Sequence, residues 1–169
     1  VGNFVAVWCD GFIGGDLRPT IYGVMSNKIV LFICTGNYYR SRFAEYLFNT
    51  LAERQGMAWR AQSRGLSTAV GKWKAGPISA FAVAALKERG IAMRGFVREP
   101  LFCCEEDICR AERVIALKEA EHRPMLEKGF PEFCRRIEFW HVHDVDIAHP
   151  DQALGEVDGL VRKLMGELS

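Results

Sequence analysis

From position 28 onward the apolar residues fall into two alternating periods. IVLFI at 29–33 is a continuous apolar run, too short for a buried helix and ended by Cys34-Thr35-Gly36-Asn37. It predicts a central parallel strand that feeds a tight turn. Over 41–54 the apolar positions Ala44, Leu47, Phe48 and Leu51 return at helical spacing. Arg42, Glu45 and Glu53 are expected to face water, and Gly56 is a natural stop. The segment 57–65 supplies a second strand, and Pro77 stands near the start of a helix through SAFAVAALKERG that Gly90 ends. A third strand is expected at 112–117, a polar helix at 119–127 and a fourth strand at 136–142. Leu154, Val157, Val161, Leu164 and Leu168 form one apolar stripe on a closing helix. Short strands alternating with helices of this length predict a mostly parallel sheet covered on both faces, in one domain without internal repeats.

The first 24 residues break this pattern. They carry only three charged side chains and precede MSNK, which reads as the natural opening of a protein, whereas Val1 is not an initiator methionine. We read 1–24 as an upstream extension, artificial or from a different start choice, and 25–169 as the working domain. The alternative is a genuine arm whose FVAVW adds an edge strand.

The 169 residues are 49% hydrophobic and 25% charged, which excludes a disordered chain. With 22 Lys plus Arg against 21 Asp plus Glu, the net charge of +1 gives no general attraction for nucleic acid or a membrane surface, so any anion must be caught locally. Six cysteines are too few for a disulfide scaffold and are expected to be reduced thiols. Cys103, Cys104 and Cys109 lack the paired spacing of a zinc site, and His141, His143 and His149 lie on another segment, so no metal is expected. No apolar run approaches the roughly 20 residues of a membrane helix, and no basic front with a long apolar centre marks a secretory signal. The expected location is the cytoplasm.

The segment that asks for a chemical explanation is CTGNYYRS, Cys34 to Ser41, at the junction of the first strand and its helix. Ligands of parallel sheets gather at the carboxyl ends of strands, and the amino end of a helix offers N–H groups and a partial positive charge. Gly36 can adopt backbone angles denied to other residues and Asn37 tolerates the left-handed region, so the five residues between Cys34 and Arg40 can curl with their N–H groups inward. Arg40 then closes the cradle with a planar fork of donors. The same donors favour a thiolate at Cys34, making it a nucleophile, and Ser41 could donate its hydroxyl to the sulfur. The bland alternative is a buried strand-end cysteine beside a surface arginine.

Spacing alone is weak evidence, because Cys104 is also followed by five residues and an arginine, Arg110. That interval contains Glu105, Glu106 and Asp107 and no glycine, so a loop there would repel phosphate.

Within IVLFICTGNYYRSRFAEYLFN, the CTGNYYRS segment resembles the active-site signature of the low-molecular-weight protein tyrosine phosphatase family. The likeness extends more loosely over 28–168, including SRG at 63–65 and WHVHD at 140–144. The resemblance implies an α/β fold, a three-layer α/β/α sandwich whose four-stranded parallel sheet has the order 2-1-3-4. It implies that Cys34 is the catalytic nucleophile and Arg40 the phosphate-binding arginine, with Thr35, Gly36, Asn37, Tyr38, Tyr39 and Ser41 binding phosphate or supporting the loop. This chain departs from the family at Tyr39, where a second cysteine is usual, so oxidised Cys34 lacks a neighbouring thiol to rescue it. The family's Asp-Pro acid is also altered, the stretch here being HDVDIAHP. Asp144 matches by its distance from Trp140, with Val145 in the proline position; Asp146 is the rival, and we favour Asp144. The tyrosines that often follow Asp-Pro are absent.

The implied reaction is attack of Cys34 on a phosphomonoester held by Arg40 and the loop amides, with Asp144 protonating the leaving oxygen. The same aspartate then activates water against the cysteinyl-phosphate. No metal or other cofactor is needed, and the partner is a phosphorylated protein or small phosphomonoester. Tyr38 or Tyr39 could stack on a phosphotyrosine ring, and Trp73 and Lys74 form a possible rim. His141 and His143 are expected to face solvent or support the site, and Trp140 to lie in the core. One competing function is a thiol-dependent arsenate reductase. Its relay cysteines would be Cys103 and Cys109, but these precede the third strand, whereas that relay follows it, where this chain reads ALKEAEH. The other is a non-catalytic phosphate-binding or signalling module. Oligomeric state does not follow from the sequence.

Overall fold

The apolar run at the start of the pattern becomes β1 (Lys28–Cys34), buried from Val30 to Cys34 because helices cover both of its faces. This is seen in a computed structural model that describes residues 28–67, 75–93, 95, 97–142 and 149–169. The segment 1–24 lies outside the described residues, as do the expectations for Trp73, Lys74, His143, Asp144 and Asp146. The other elements are α1 (Arg40–Arg54), β2 (Trp59–Gly65), α2 (Ala80–Glu88), α3 (Glu105–Arg110), β3 (Arg113–Ala116), α4 (Glu119–Gly129), β4 (Ile137–Phe139) and α5 (Pro150–Leu168). A 3₁₀ turn, Pro131–Arg136, leads into β4.

Among the described residues the four strands are parallel in the order β2-β1-β3-β4. Alternate β1 side chains enter two cores. Val30, Phe32 and Cys34 pack with residues of α1, α2 and α5, whereas Leu31 and Ile33 pack with Ile108 of α3 and Leu126 of α4. Helices therefore cover both faces, giving the three-layer sandwich. Phe32 meets the Phe48 ring edge-on at 6.1 Å and the Trp140 ring at 5.6 Å. Truncating it would cost about 3–5 kcal/mol. The stripe on α5 is buried at Leu154, Val157, Val161 and Leu164, with Leu168 packed partly against the same core.

The register brings three strand ends together. Cys34 lies beside Gly65 of β2, and Ile33 beside Ala116 of β3. The chain beyond β4 stays with the sheet through Trp140 N–H to Ala116 O at 2.8 Å and Val142 N–H to Leu117 O at 2.9 Å.

Two sequence expectations are corrected. Arg42 does not face water: it is fully buried, with its guanidinium carbon 5.6 Å from the Tyr46 ring centre, one helical turn along. An arginine can lie along its own helix under neighbouring segments, so helical spacing misjudged this position. Glu45 is also mostly buried, its side chain 18% exposed, and it pairs with Arg98 at 2.8 Å. The short helix α3 was not expected; its first turn carries Glu105, Glu106 and Asp107, whose charges suit the amino end of a helix.

Candidate active site

Between β1 and α1 the chain turns through 35–39, and Asn37 adopts the left-handed region at φ 46°. A short polar side chain that bonds locally lowers the cost of that conformation. The Asn37 amide group donates to Ser41 Oγ at 3.1 Å and to Ser63 Oγ at 2.7 Å. Its oxygen accepts from Arg98 Nη1 and from the Leu101 N–H, both at 2.9 Å. Asn37, Ser41 and Ser63 are all fully buried. Ser63 donates to Glu45 at 2.6 Å, and Arg98 Nη2 bonds Glu45 and both the carbonyl and hydroxyl of Ser63. Burial lowers the affinity of Arg98 for its proton, and Glu45 opposes that shift. A closed polar network thus lies under the loop and fixes its curvature.

The outer side of the loop is held by β2. The N–H groups of Leu66 and Ser67 both reach Thr35 O at 2.9 Å. Gly65 is required there: a Cβ on it would stand 3.0 Å from Asn37 N and 3.1 Å from both Gly36 C and Thr35 O.

Within this frame Cys34 is buried, and its Sγ lies 3.0 Å from Ser41 Oγ. No side chain caps the Tyr39 end of α1. Arg40 is 1% exposed; its Nη1 donates to Val142 O at 3.2 Å, and its Nη2 to Glu121 Oε1 at 3.2 Å and Oε2 at 3.0 Å. Thr35 Oγ1 donates to the same Glu121 carboxylate. Burial alone would raise the proton affinity of Glu121, but His122, Thr35 and the charge of Arg40 outweigh it and hold the carboxyl well below the usual range.

The structure therefore gathers Cys34, Thr35, Gly36, Asn37, Arg40 and Ser41 at one strand end. The two tyrosines separate. Tyr39 is buried in the α1–α5 core and donates to Pro150 O at 3.1 Å, whereas Tyr38 is half-exposed and donates to Ala75 O at 2.8 Å. His141 is exposed, and Trp140 packs against the core. Sequence reasoning missed Arg98, which has no local signal. It also took 119–127 only as a polar helix and gave Glu121 no role, although its place just after the carboxyl end of β3 is where ligands of parallel sheets gather.

The described cysteines, Cys34, Cys103, Cys104, Cys109 and Cys134, are free. Burial first, and then Asp107 and Cys104, push the Cys103 thiol up to about 12, which makes it a poor nucleophile for a relay. Among the described residues no helix is long and apolar enough to cross a membrane.

Comparison with known proteins gives a consistent picture. A family model described as low molecular weight phosphotyrosine protein phosphatase matches residues 29–154. The chain is 34% identical over 108 residues to a Bacillus subtilis protein named protein-arginine-phosphatase, spanning 64% of this chain and 67% of that one. It superposes on the low molecular weight protein tyrosine phosphatase of T. tengcongensis with a TM-score of 0.69 and 30% identity, covering 83% of this chain and 99% of the other. It also superposes on a mutant of the YwlE arginine phosphatase whose active-site serine is phosphorylated, with a TM-score of 0.66, 28% identity and coverage of 83% and 95%. Another YwlE mutant structure is from Bacillus subtilis.

Proposed function

We propose that this chain, which belongs to the low-molecular-weight protein tyrosine phosphatase family and is a phosphatase of that kind, hydrolyses phosphomonoesters of the phosphotyrosine type through a cysteinyl-phosphate on Cys34. The observation that carries the assignment is the buried Cys34 sulfur, 3.0 Å from Ser41 Oγ, at the start of a braced loop that ends in the buried Arg40.

In this reading the loop N–H groups, the amino end of α1 and Arg40 surround the three terminal oxygens of the phosphoryl group. Their orientation is fixed before the substrate arrives, so little reorganisation is needed as charge gathers on those oxygens. The Cys34 thiolate attacks phosphorus in line, and the bond to the leaving oxygen breaks. Ser41 steadies the sulfur before attack and when it leaves. Asp144 gives a proton to the leaving oxygen and takes one from the water that releases inorganic phosphate. Both flanks of 143–148 are tied to the loop, Val142 O to Arg40 and Pro150 O to Tyr39, which supports placing the acid on this stretch. Tyr38 supplies an aromatic wall, and Trp73 and Lys74 the rim. We place the enzyme in the cytoplasm.

A second reading is favoured by the relative named protein-arginine-phosphatase: the same thiolate would cleave the P–N bond of phosphoarginine. Comparing kcat/KM on paired peptides that differ only in phosphotyrosine or phosphoarginine decides between them. We expect the phosphotyrosine peptide to be preferred at least tenfold; the reverse preference assigns the enzyme to arginine.

A further inference from the structure

We propose that Glu121, backed by His122, is the positioning residue for Arg40, fixing the plane of its guanidinium against the phosphate loop. The inference rests on the phosphatase reading above, in which Arg40 binds the phosphoryl group.

Glu121 is the third residue of α4, which begins three residues beyond the end of β3. From there both of its carboxylate oxygens reach Arg40 Nη2, at 3.2 and 3.0 Å, while Arg40 Nη1 is bound to Val142 O at 3.2 Å. Two partners on different terminal nitrogens set the orientation of a planar fork, whereas contacts to one nitrogen alone leave it free to pivot. A guanidinium has five N–H donors, so these contacts are compatible with others to a phosphate.

The carboxylate is itself oriented. His122 is fully buried, and its Nδ1 accepts the Lys118 N–H at 3.0 Å. In the neutral ring the proton therefore sits on Nε2, 3.6 Å from Glu121 Oε1. The Thr35 hydroxyl donates to the same oxygen and links Glu121 to the residue after the nucleophile. One face of the carboxylate thus meets His122 and Thr35, and both oxygens meet the arginine.

This arrangement suits neither of two other roles. A general acid must hold a proton, but three cationic or hydrogen-bonding neighbours keep this carboxyl ionised below the ordinary carboxylate range. A competitor for the phosphate would be expected to move away freely, whereas Glu121 is held by the Thr35 hydroxyl as well as by Arg40, with the buried His122 ring close behind.

The test uses the full chain with phenyl phosphate as substrate, and inorganic phosphate and vanadate as inhibitors. Glu121→Gln and Glu121→Ala are expected to lower kcat/KM by roughly 10- to 100-fold, more in kcat than in KM. Vanadate, whose five-coordinate form resembles the transition state, should lose about tenfold more affinity than phosphate. Glu121→Asp should recover part of the loss, His122→Gln should cost about a few-fold, and Glu119→Gln, whose exposed carboxylate pairs with Arg123, should behave as wild type. If Glu121→Ala fails to fold, the Gln and Asp variants carry the test. A folded Glu121→Gln with unchanged kcat/KM and vanadate affinity overturns the proposal. So does tighter phosphate binding by Glu121→Ala, which would make the carboxylate a competitor. Cys34→Ser separates the two levels: if it still turns over substrate, the phosphatase reading itself fails. If it is inert while the Glu121 variants match wild type, only the positioning role fails.

Discussion

The chain contains the spacing Cys, five residues, Arg twice, and the two copies fold into different objects. Cys34 to Arg40 is a loop that joins the end of a buried strand to a fifteen-residue helix, and its one left-handed residue is Asn37 at φ 46°, not Gly36. Cys104 to Arg110 is itself a short helix. Cys104 is its extended first cap, and Asp107 Oδ2 accepts the Cys104 N–H at 3.1 Å. Arg110 pairs with Glu106 at 3.2 Å across an exposed surface. In the first copy the cysteine and the arginine are both buried, at the two ends of a loop braced by Asn37 and Gly65. In the second the N–H groups are spent on helix bonds and capping, and the acids occupy the end where an anion would bind. What separates them is the residues between cysteine and arginine, and the sheet that receives only one of them.

The sharpest way to break this comparison is to exchange the sulfur. Cys34→Ser is expected to abolish steady-state turnover of p-nitrophenyl phosphate, a loss of at least about a thousandfold, while Cys104→Ser keeps wild-type rates. Turnover by Cys34→Ser, or its loss in Cys104→Ser, would reverse the assignment. Next in size is Asp144→Asn. It should lower kcat about 10²- to 10³-fold on phenyl phosphate and much less on p-nitrophenyl phosphate, whose leaving group needs little protonation. Equal losses on both substrates would remove Asp144 as the acid, and the same measurement on Asp146→Asn tests its rival.

Most of this contrast was legible in the sequence, because an asparagine that tolerates the left-handed region and the density of acids determine how a short segment can turn, although the glycine expected to share that role at 36 does not take a positive φ. The order of elements was legible for the same reason: β1 and α5 have apolar patterns too regular to belong elsewhere. The supports of the site were not. Arg98 lies 61 residues from its partner Asn37, and Glu121 81 residues from Arg40, so neither contact has a local period. Both arise from strand order, which brings the ends of β2 and β3 to either side of β1. Arg42 shows the converse limit. Its helical position was correct, but its burial depends on what packs over it, which a periodicity does not contain.

Gly65 tests whether the first loop owes its shape to the neighbouring strand. Gly65→Ala places a methyl carbon about 3.0 Å from the backbone of Asn37, so either the loop or the end of β2 must move. The expected result is a loss of roughly tenfold or more in kcat/KM, with destabilisation of about 1–3 kcal/mol in urea unfolding. None of the three close neighbours is the flexible end of a side chain, so unchanged kinetics would show that the loop holds its curvature without β2.

The smallest effect belongs to the second copy and concerns stability alone. Burial alone would raise the proton affinity of Asp107, but the Cys104 N–H and the Arg64 guanidinium, with Nε at 2.9 Å, outweigh it and lower the carboxyl pKa below 3.8. A carboxyl depressed on folding contributes stability that is fully present above its unfolded pKa and is lost as pH falls through the lower, folded value. Asp107→Asn should therefore cost about 1 kcal/mol at neutral pH, the usual scale of a helix cap, and progressively less below pH about 4. Urea midpoints for both proteins at pH 7 and pH 3 should converge at the lower pH, while kcat/KM at pH 6 stays unchanged. A fall in kcat/KM without a change in midpoint would instead mean that the second copy, although helical, communicates with the first through Arg64 and the end of β2.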